Sequence, residues 1–430
     1  MNACNRRSFI KLLGGSGMAL ATLHPFSVLG KEGKTSARIV VVGGGFGGAT
    51  CAKYLNKFDP HLSITLIEPA KRFTTCPFSN AVLSGMRDLN SISHDYSALQ
   101  KRGISVVQAS VEQIDATAKK VSLNNGKMLD YDRLVLSPGI DFRWDKVVGM
   151  TVADADEIPH AWQGGPQTTI LRDQLIGMRN GGVVIIAPPG NPFRCPPGPY
   201  ERASLIASYL KAHKPKSKIL ILDAKDKFSK QPLFEQGWQE LYPGMIEWLS
   251  GSNGGRIDRV DVKSRALHSE LGDEHRGDVV NFIPPQKAAP IAHKAGLTDS
   301  NGWCPVNQRT FESEVHAGIH IIGDASVAGK MPKSGFAANS QGKVCAAAIV
   351  SAIHGVKMPE PSYVNTCYSL VSPDYGISVA AVYRYSEQQG IYKVEGSGGV
   401  SPKDADTAFR QAEARYAMGW YDSITQDAFG

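Results

Sequence analysis

"ARIVVVGGGFGGATCAKYL", residues 37–55, decides the fold of this 430-residue chain. A β-branched run ends in Gly43-x-Gly45-x-x-Gly48 and passes straight into a stretch that reads as a helix. Such a glycine pattern is informative only where strand, tight turn and helix follow in that order. Gly43 then permits the turn, Gly45 lets a pyrophosphate approach the backbone, and Gly48 brings helix close to strand, with the helix N-terminus facing the phosphates. A second strand, "LSITLIEP" (62–69), places Glu68 twenty residues after Gly48, at a strand end where a carboxylate can accept ribose hydroxyls. The spacing predicts a dinucleotide-binding domain.

Working outward, the glycine loop alone leaves NAD and FAD equally open. "GIHIIGDAS" (318–326) is a buried-type strand ending in Gly323-Asp324, and it resembles the segment that two-dinucleotide flavoproteins return to their first domain. There the Asp meets the flavin's ribitol or phosphate, so the resemblance implies FAD and gives Asp324 that role. "SPGIDF" (137–142) has the look of the exit from the first domain, which sets a boundary near residue 145.

A second βαβ unit follows: "GGVVIIAPP" (181–189) as strand, "PYERASLIASYLKAH" (199–213) as helix with Pro199 suited to its first turn, and "SKILILDA" (217–224) as strand. Its strand-to-helix loop, "APPGNPFRCPPGP" (187–199), carries six prolines. Each removes a backbone N–H that a pyrophosphate cradle needs, which argues against bound NAD(P)H. The loop offers instead Cys195, just before a helix N-terminus and flanked by Arg194, with Arg202 in the helix's first turn. Positive potential of this kind lowers a thiol pKa and predicts a thiolate. Cys51 and Cys345, set among alanines, read as small buried hydrophobes, and Cys304 as structural or unassigned.

From residue 361, "PSYVNTCYSLVSPDYGISVAAVYRY" (361–385) alternates aromatic and small residues in extended style and carries Cys367. A final helix is expected over "DADTAFRQAEARYAMGWYDSI" (404–424). Spacing alone does not pair Cys367 with Cys195.

The first thirty residues join Arg6 and Arg7 to a short apolar run, which reads as a twin-arginine export signal and predicts a periplasmic protein. That run, Phe9 to Leu23, is shorter than about 20 residues and broken by Gly and Ser, so no membrane span is expected in the mature chain. The formal charge of +7 loses Arg6, Arg7 and Lys11 with the leader and falls to about +4, too mild to suggest nucleic acid. Of seven cysteines, six would remain in an oxidising compartment where a disulfide persists. None has a metal-binding spacing, and without CxxCH the chain attaches no c-type haem.

Together, "GGGFGGATCAKY", "TTCPFSN", "APPGNPFRCPPGPYERAS", "NFIPPQKA", "GWCPV", "GDASVAGKMPKSGFAANSQGK", "PSYVNTCYS" and the terminal "GWYDSITQDAFG" make residues 37–430 resemble the flavoprotein subunits of flavocytochrome c sulfide dehydrogenases. These belong to the FAD-dependent pyridine nucleotide-disulfide oxidoreductases and are related to sulfide:quinone oxidoreductases. The resemblance implies an α/β fold with two Rossmann-like, glutathione-reductase-like domains plus a C-terminal α+β domain. Residues 36–145 and 290–360 would form a discontinuous FAD-binding domain, 146–289 the second Rossmann-like domain carrying Cys195, and 361–430 a C-terminal flavin-facing or interface domain.

It further implies that Cys195 and Cys367 are a redox-active disulfide, that Cys76 tethers FAD covalently, and that Glu201 is an acid/base. Trp420 would be an aromatic residue beside the flavin. Pro77 departs from the bulkier residue expected after Cys76. Sulfide would be the substrate and a separate c-type cytochrome subunit, carrying the haem, the acceptor. Three alternatives stay open: a sulfide:quinone oxidoreductase, an NAD(P)H-dependent disulfide reductase, and a non-catalytic flavin-binding partner. The charges of the last helix, Asp404, Asp406, Arg410, Glu413, Arg415 and Asp422, look too polar for the membrane seat that the first of these needs.

Overall fold

The computed structural model describes residues 36–430, so the expected leader lies outside the described residues. From Ala37 to Gly430 the chain is one compact unit. Along it lie β1 (Arg38–Val42), α1 (Phe46–Phe58), β2 (Ser63–Ile67), β3 (Ser105–Val107), β4 (Arg133–Leu136), β5 (Val183–Ala187), α2 (Gly198–His213) and β6 (Lys218–Leu222). Next come α3 (Gln231–Leu241), β7 (Ile246–Leu249), β8 (Val279–Phe282), β9 (Ile319–Ile321), α4 (Gly335–His354), β10 (Ser362–Ser372), β11 (Tyr375–Ser386) and α5 (Thr407–Phe429).

Two parallel sheets follow from the apolar β-branched runs, because strands buried on both faces need no polar alternation. The first has the order β9-β4-β1-β2-β3 and the second β7-β6-β5-β8. Within the first, Ile39 lies opposite both Ile64 and Arg133. Within the second, Ile185 pairs with Leu220 and Val280. The chain leaves the first sheet through Ile140–Phe142 and returns through Gln286–Ala288, and these two segments pair antiparallel.

The turn after β1 works as its glycines require. Gly43 has φ +96°, and a Cβ there would lie 2.2 Å from the Ser137 carbonyl oxygen. A Cβ on Gly48 would lie 1.9 Å from the Gly43 oxygen, so the loop closes only on glycine at both places. Helix α4 packs on α1, and Cys51 and Cys345 are fully buried there.

β10 and β11 form a long antiparallel hairpin, with Cys367 opposite Val379. Helix α5 crosses it, starting where Asp406 accepts a hydrogen bond from Phe409 N (2.7 Å). Two of its charges differ from the polar face expected from sequence: Arg410 and Glu413 point inward and are buried. Arg410 donates to Pro402 O (2.8 Å), Glu413 Oε1 accepts from the hydroxyls of Ser378 and Ser401, and Arg410 Nη1 faces Glu413 Oε2 at 3.7 Å. No helix among the described residues is long and apolar enough to cross a membrane.

Candidate functional site

Several stretches of the chain meet around a cavity of about 80 Å³. Cys195 comes from the loop before α2, Glu201 from the first turn of α2, Cys367 from mid β10, and Trp420 from α5. Cys76 and Phe78 come from the segment leading into the short helix Ser79–Ser84. The sequence placed these residues in four separate motifs, and packing brings them to one cavity.

Cys195 is held rigidly. Its N–H donates to Lys333 O (2.8 Å), its carbonyl accepts from Gly198 N (2.8 Å), and its φ is +59°. A non-glycine residue in that region marks a conformation imposed by its surroundings. Cys367 Sγ points to the Tyr368 carbonyl (3.5 Å) and Cys76 Sγ to the Trp162 carbonyl (3.4 Å). All three thiols are unbonded.

The expected low pKa of Cys195 does not survive the geometry. Burial pushes its thiol well up, reinforced by Cys367, Glu201 and Cys76, and only Arg194 opposes. The two arginines are spent elsewhere. Arg194 donates to the Trp162 carbonyl and lies 3.8 Å from Asp324. Arg202 is fully buried as a brace, donating to Asn80 Oδ1 (3.0 Å), Asn281 Oδ1 (2.8 Å) and the carbonyls of His160 (2.9 Å) and Ala161 (2.7 Å). Its guanidinium also stacks 4.7 Å from the Trp162 ring centre.

Glu201 bridges the site. Oε1 accepts from Leu370 N (2.9 Å) and Oε2 from Asn80 Nδ2 (2.8 Å). Burial raises its carboxyl pKa, against those two hydrogen bonds and the charges of Lys230 and Arg202. A buried carboxyl whose pKa is raised by burial is of the kind that suits proton transfer.

The residues also fit FAD. Glu68, at the end of β2, steadies the glycine loop by accepting from Gly44 N (2.8 Å) and Ala70 N (3.0 Å). Gly45 caps α1 in extended conformation. Asp324, half-buried just after β9, has a buried Oδ1 that is unpartnered, and Arg194 Nε and Trp420 Nε1 are likewise unpartnered. Orphaned buried polar atoms of both kinds are what a polar ligand with donors and acceptors would satisfy.

Against this, the equivalent position in the second sheet is filled from within. Asp223, at the end of β6, accepts from Tyr200 Oη (2.5 Å), Trp248 Nε1 (3.0 Å) and Lys225 Nζ (2.6 Å). Tyr200 itself stacks on Phe228 at 3.7 Å.

Asn80, Trp162 and Phe336 line the site as well, and sequence reasoning missed them. Phe336 stacks on Trp420. Asn80 closes the stretch "TTCPFSN", but nothing local marks it as a site residue. Among the described residues, no cluster of three or more His, Cys, Asp or Glu could hold a metal ion. Cys304 is buried, its thiol pushed up to about 12 by burial.

Comparison with known proteins places this geometry. Residues 168–284 match the family model for the central region of the sulfide dehydrogenase [flavocytochrome c] flavoprotein chain. Residues 359–429 match the flavocytochrome c sulphide dehydrogenase flavin-binding model, and 37–164 the pyridine nucleotide-disulphide oxidoreductase model. A flavoprotein chain of sulfide dehydrogenase [flavocytochrome c] from Chlorobaculum thiosulfatiphilum is 71% identical over 45 residues, 10% of this chain and 94% of that one. A mitochondrial sulfide:quinone oxidoreductase from Dictyostelium discoideum is 22% identical over 318 residues, 68% of this chain and 66% of its own length. Among solved structures, the sulfide:quinone oxidoreductase of Aquifex aeolicus superposes with a TM-score of 0.68 at 18% identity, covering 91% of each chain.

Proposed function

Because the chain belongs to the family of flavocytochrome c sulfide dehydrogenase flavoprotein chains, we propose that it oxidises sulfide at a Cys195–Cys367 disulfide and delivers the electrons to a separate c-type cytochrome. The observation that carries this is the meeting of Cys195, Cys367 and Glu201 on one cavity wall beside Cys76.

The reaction begins with a nucleophile suited to sulfur. Hydrosulfide attacks one sulfur of the oxidised pair, the S–S bond breaks, and its electron pair leaves with the other cysteine as thiolate. The attacked cysteine holds the new S–S bond as a persulfide, and Glu201 accepts the proton that the incoming sulfur sheds. A second sulfide or thiol then takes up the persulfide sulfur as polysulfide or elemental sulfur. Gly43, Gly45, Gly48 and Glu68 would hold the dinucleotide, Asp324 its ribitol or phosphate side, Trp420 the ring region, and Cys76 would be the covalent tether. FAD bound there supplies a two-electron acceptor able to release electrons singly to a haem on the partner. Trp162, Phe336 and Trp420 make the pocket apolar and limit water around the reacting sulfur.

Export by the twin-arginine route to the periplasm is part of the same proposal, since a disulfide persists there. The filled pocket around Asp223 supports the exclusion of NAD(P)H. A second reading keeps the disulfide chemistry but passes the electrons to a quinone, and the likeness to the Aquifex aeolicus fold favours it. Steady-state turnover of the purified flavoprotein separates the two. Sulfide-dependent reduction of a soluble c-type cytochrome, with little turnover of a soluble quinone analogue, is expected. The reverse preference would replace the acceptor.

A further inference from the structure

The cation that acts on Cys367 comes from a place the sequence does not advertise. Lys230 caps the N-terminus of α3 with φ +60° and is only 7% exposed. Its Nζ donates to Ser369 Oγ at 2.8 Å and reaches Ile377 O at 3.5 Å. Among the described residues no carboxylate oxygen lies within 4.0 Å of it, although thirteen such pairs form elsewhere in the chain. A buried ammonium without an anion is costly, and a strained backbone that places one needs a reason. The site supplies it. Ser369 and Cys367 stand two residues apart on β10, hence on one face of the strand, and both line the cavity.

We propose that Lys230 is an electrostatic positioning residue, whose buried ammonium stabilises the anionic sulfur that the reaction leaves on Cys367. Its chemistry rests on the disulfide reading above. If Cys195 is attacked, Cys367 departs as thiolate; if Cys367 is attacked, it carries the persulfide. Either way a negative sulfur forms two residues from Ser369 on the same strand face, and Lys230 holds Ser369.

The electrostatics agree in both directions. Burial raises the Cys367 thiol pKa, Lys230 is the charge that lowers it, and Glu201 opposes. On Lys230, burial lowers the pKa, while Cys367 is the leading group that raises it, ahead of Glu201, Cys195 and Glu413. Arg194 and Arg202, the cations nearest Cys195 in sequence, are committed to other partners. Lys230 therefore makes the pair asymmetric, since Cys367 precedes Cys195 among the thiols that act on it, and Cys195 is pushed well up by burial.

The test is the pH dependence of iodoacetamide alkylation at each cysteine of the dithiol-reduced holoprotein, read by peptide mass spectrometry. In the unaltered protein the Cys367 midpoint should lie below that of Cys195. Lys230→Met and Lys230→Gln should each raise the Cys367 midpoint by about one pH unit, a tenfold slower reaction at pH 8, with Cys195 moving less. Lys230→Arg should restore most of the shift, which a merely structural role would not do. A Cys367 midpoint above that of Cys195 in the unaltered protein, or one unmoved in a folded charge-removing variant, would overturn the inference. Alkylation needs no sulfide, so a sulfide-inert protein with the predicted shifts would sink the functional reading and leave the role of Lys230 standing.

Discussion

Glu201 Oε1 accepts the Leu370 backbone N–H at 2.9 Å, which ties the helix following Cys195 to the strand that carries Cys367. One carboxylate thus links the two elements that carry the cysteines.

Replacing it separates that link from proton transfer. Glu201→Gln keeps an acceptor for Leu370 N and should slow sulfide-driven flavin reduction about a hundredfold in stopped flow. Its effect on stability has a definite sign. Burial holds the folded carboxyl above its ordinary 4.5, so this group's stabilising contribution is full below that pH and is lost as pH rises through the folded value. The variant's stability relative to the parent should therefore improve with rising pH across that window, measured by urea unfolding. A constant difference would mean that Glu201 is ionised throughout.

Arg202 is expected to matter for stability more than for chemistry. Arg202→Ala strands Asn80, Asn281 and two carbonyls in the interior, and each buried orphan costs about 1–3 kcal/mol. A loss of about 3 kcal/mol or more in urea unfolding is expected. A variant as stable as the parent would show that water replaces the brace.

Cys76 should be separable from turnover. Cys76→Ala should release its flavin on acid denaturation, whereas the parent keeps it on the polypeptide. If the unaltered protein releases all of its flavin, Cys76 is not the tether.

Much of the fold was legible because its signals are local. The glycine loop, the strand before it and Glu68 sit within one βαβ unit, and a Cβ at Gly43 or Gly48 would clash where the spacing requires glycine. The six-proline loop was legible for the same reason. Convergence of Cys76, Cys195 and Cys367 was not, since it depends on how the β10–β11 hairpin and α5 pack against α2, and only resemblance suggested it. The thiol pKa was misread because a sequence shows that Arg194 and Arg202 are near but not where they point. Lys230 stands in "AKDKFSKQPLF" with Lys225 and Lys227, a run that looks like solvated surface, and only the tertiary structure buries it behind Ser369.

The central claim, that the Cys195–Cys367 pair oxidises sulfide, is tested most directly by the anaerobic absorbance spectrum of the purified flavoprotein. Parent and Cys367→Ser protein are titrated with sulfide and, separately, with NADH. Bleaching of the parent flavin by sulfide, no bleaching of Cys367→Ser, and no response of either to NADH are predicted. Full bleaching of Cys367→Ser by sulfide, or bleaching of the parent by NADH alone, would contradict it.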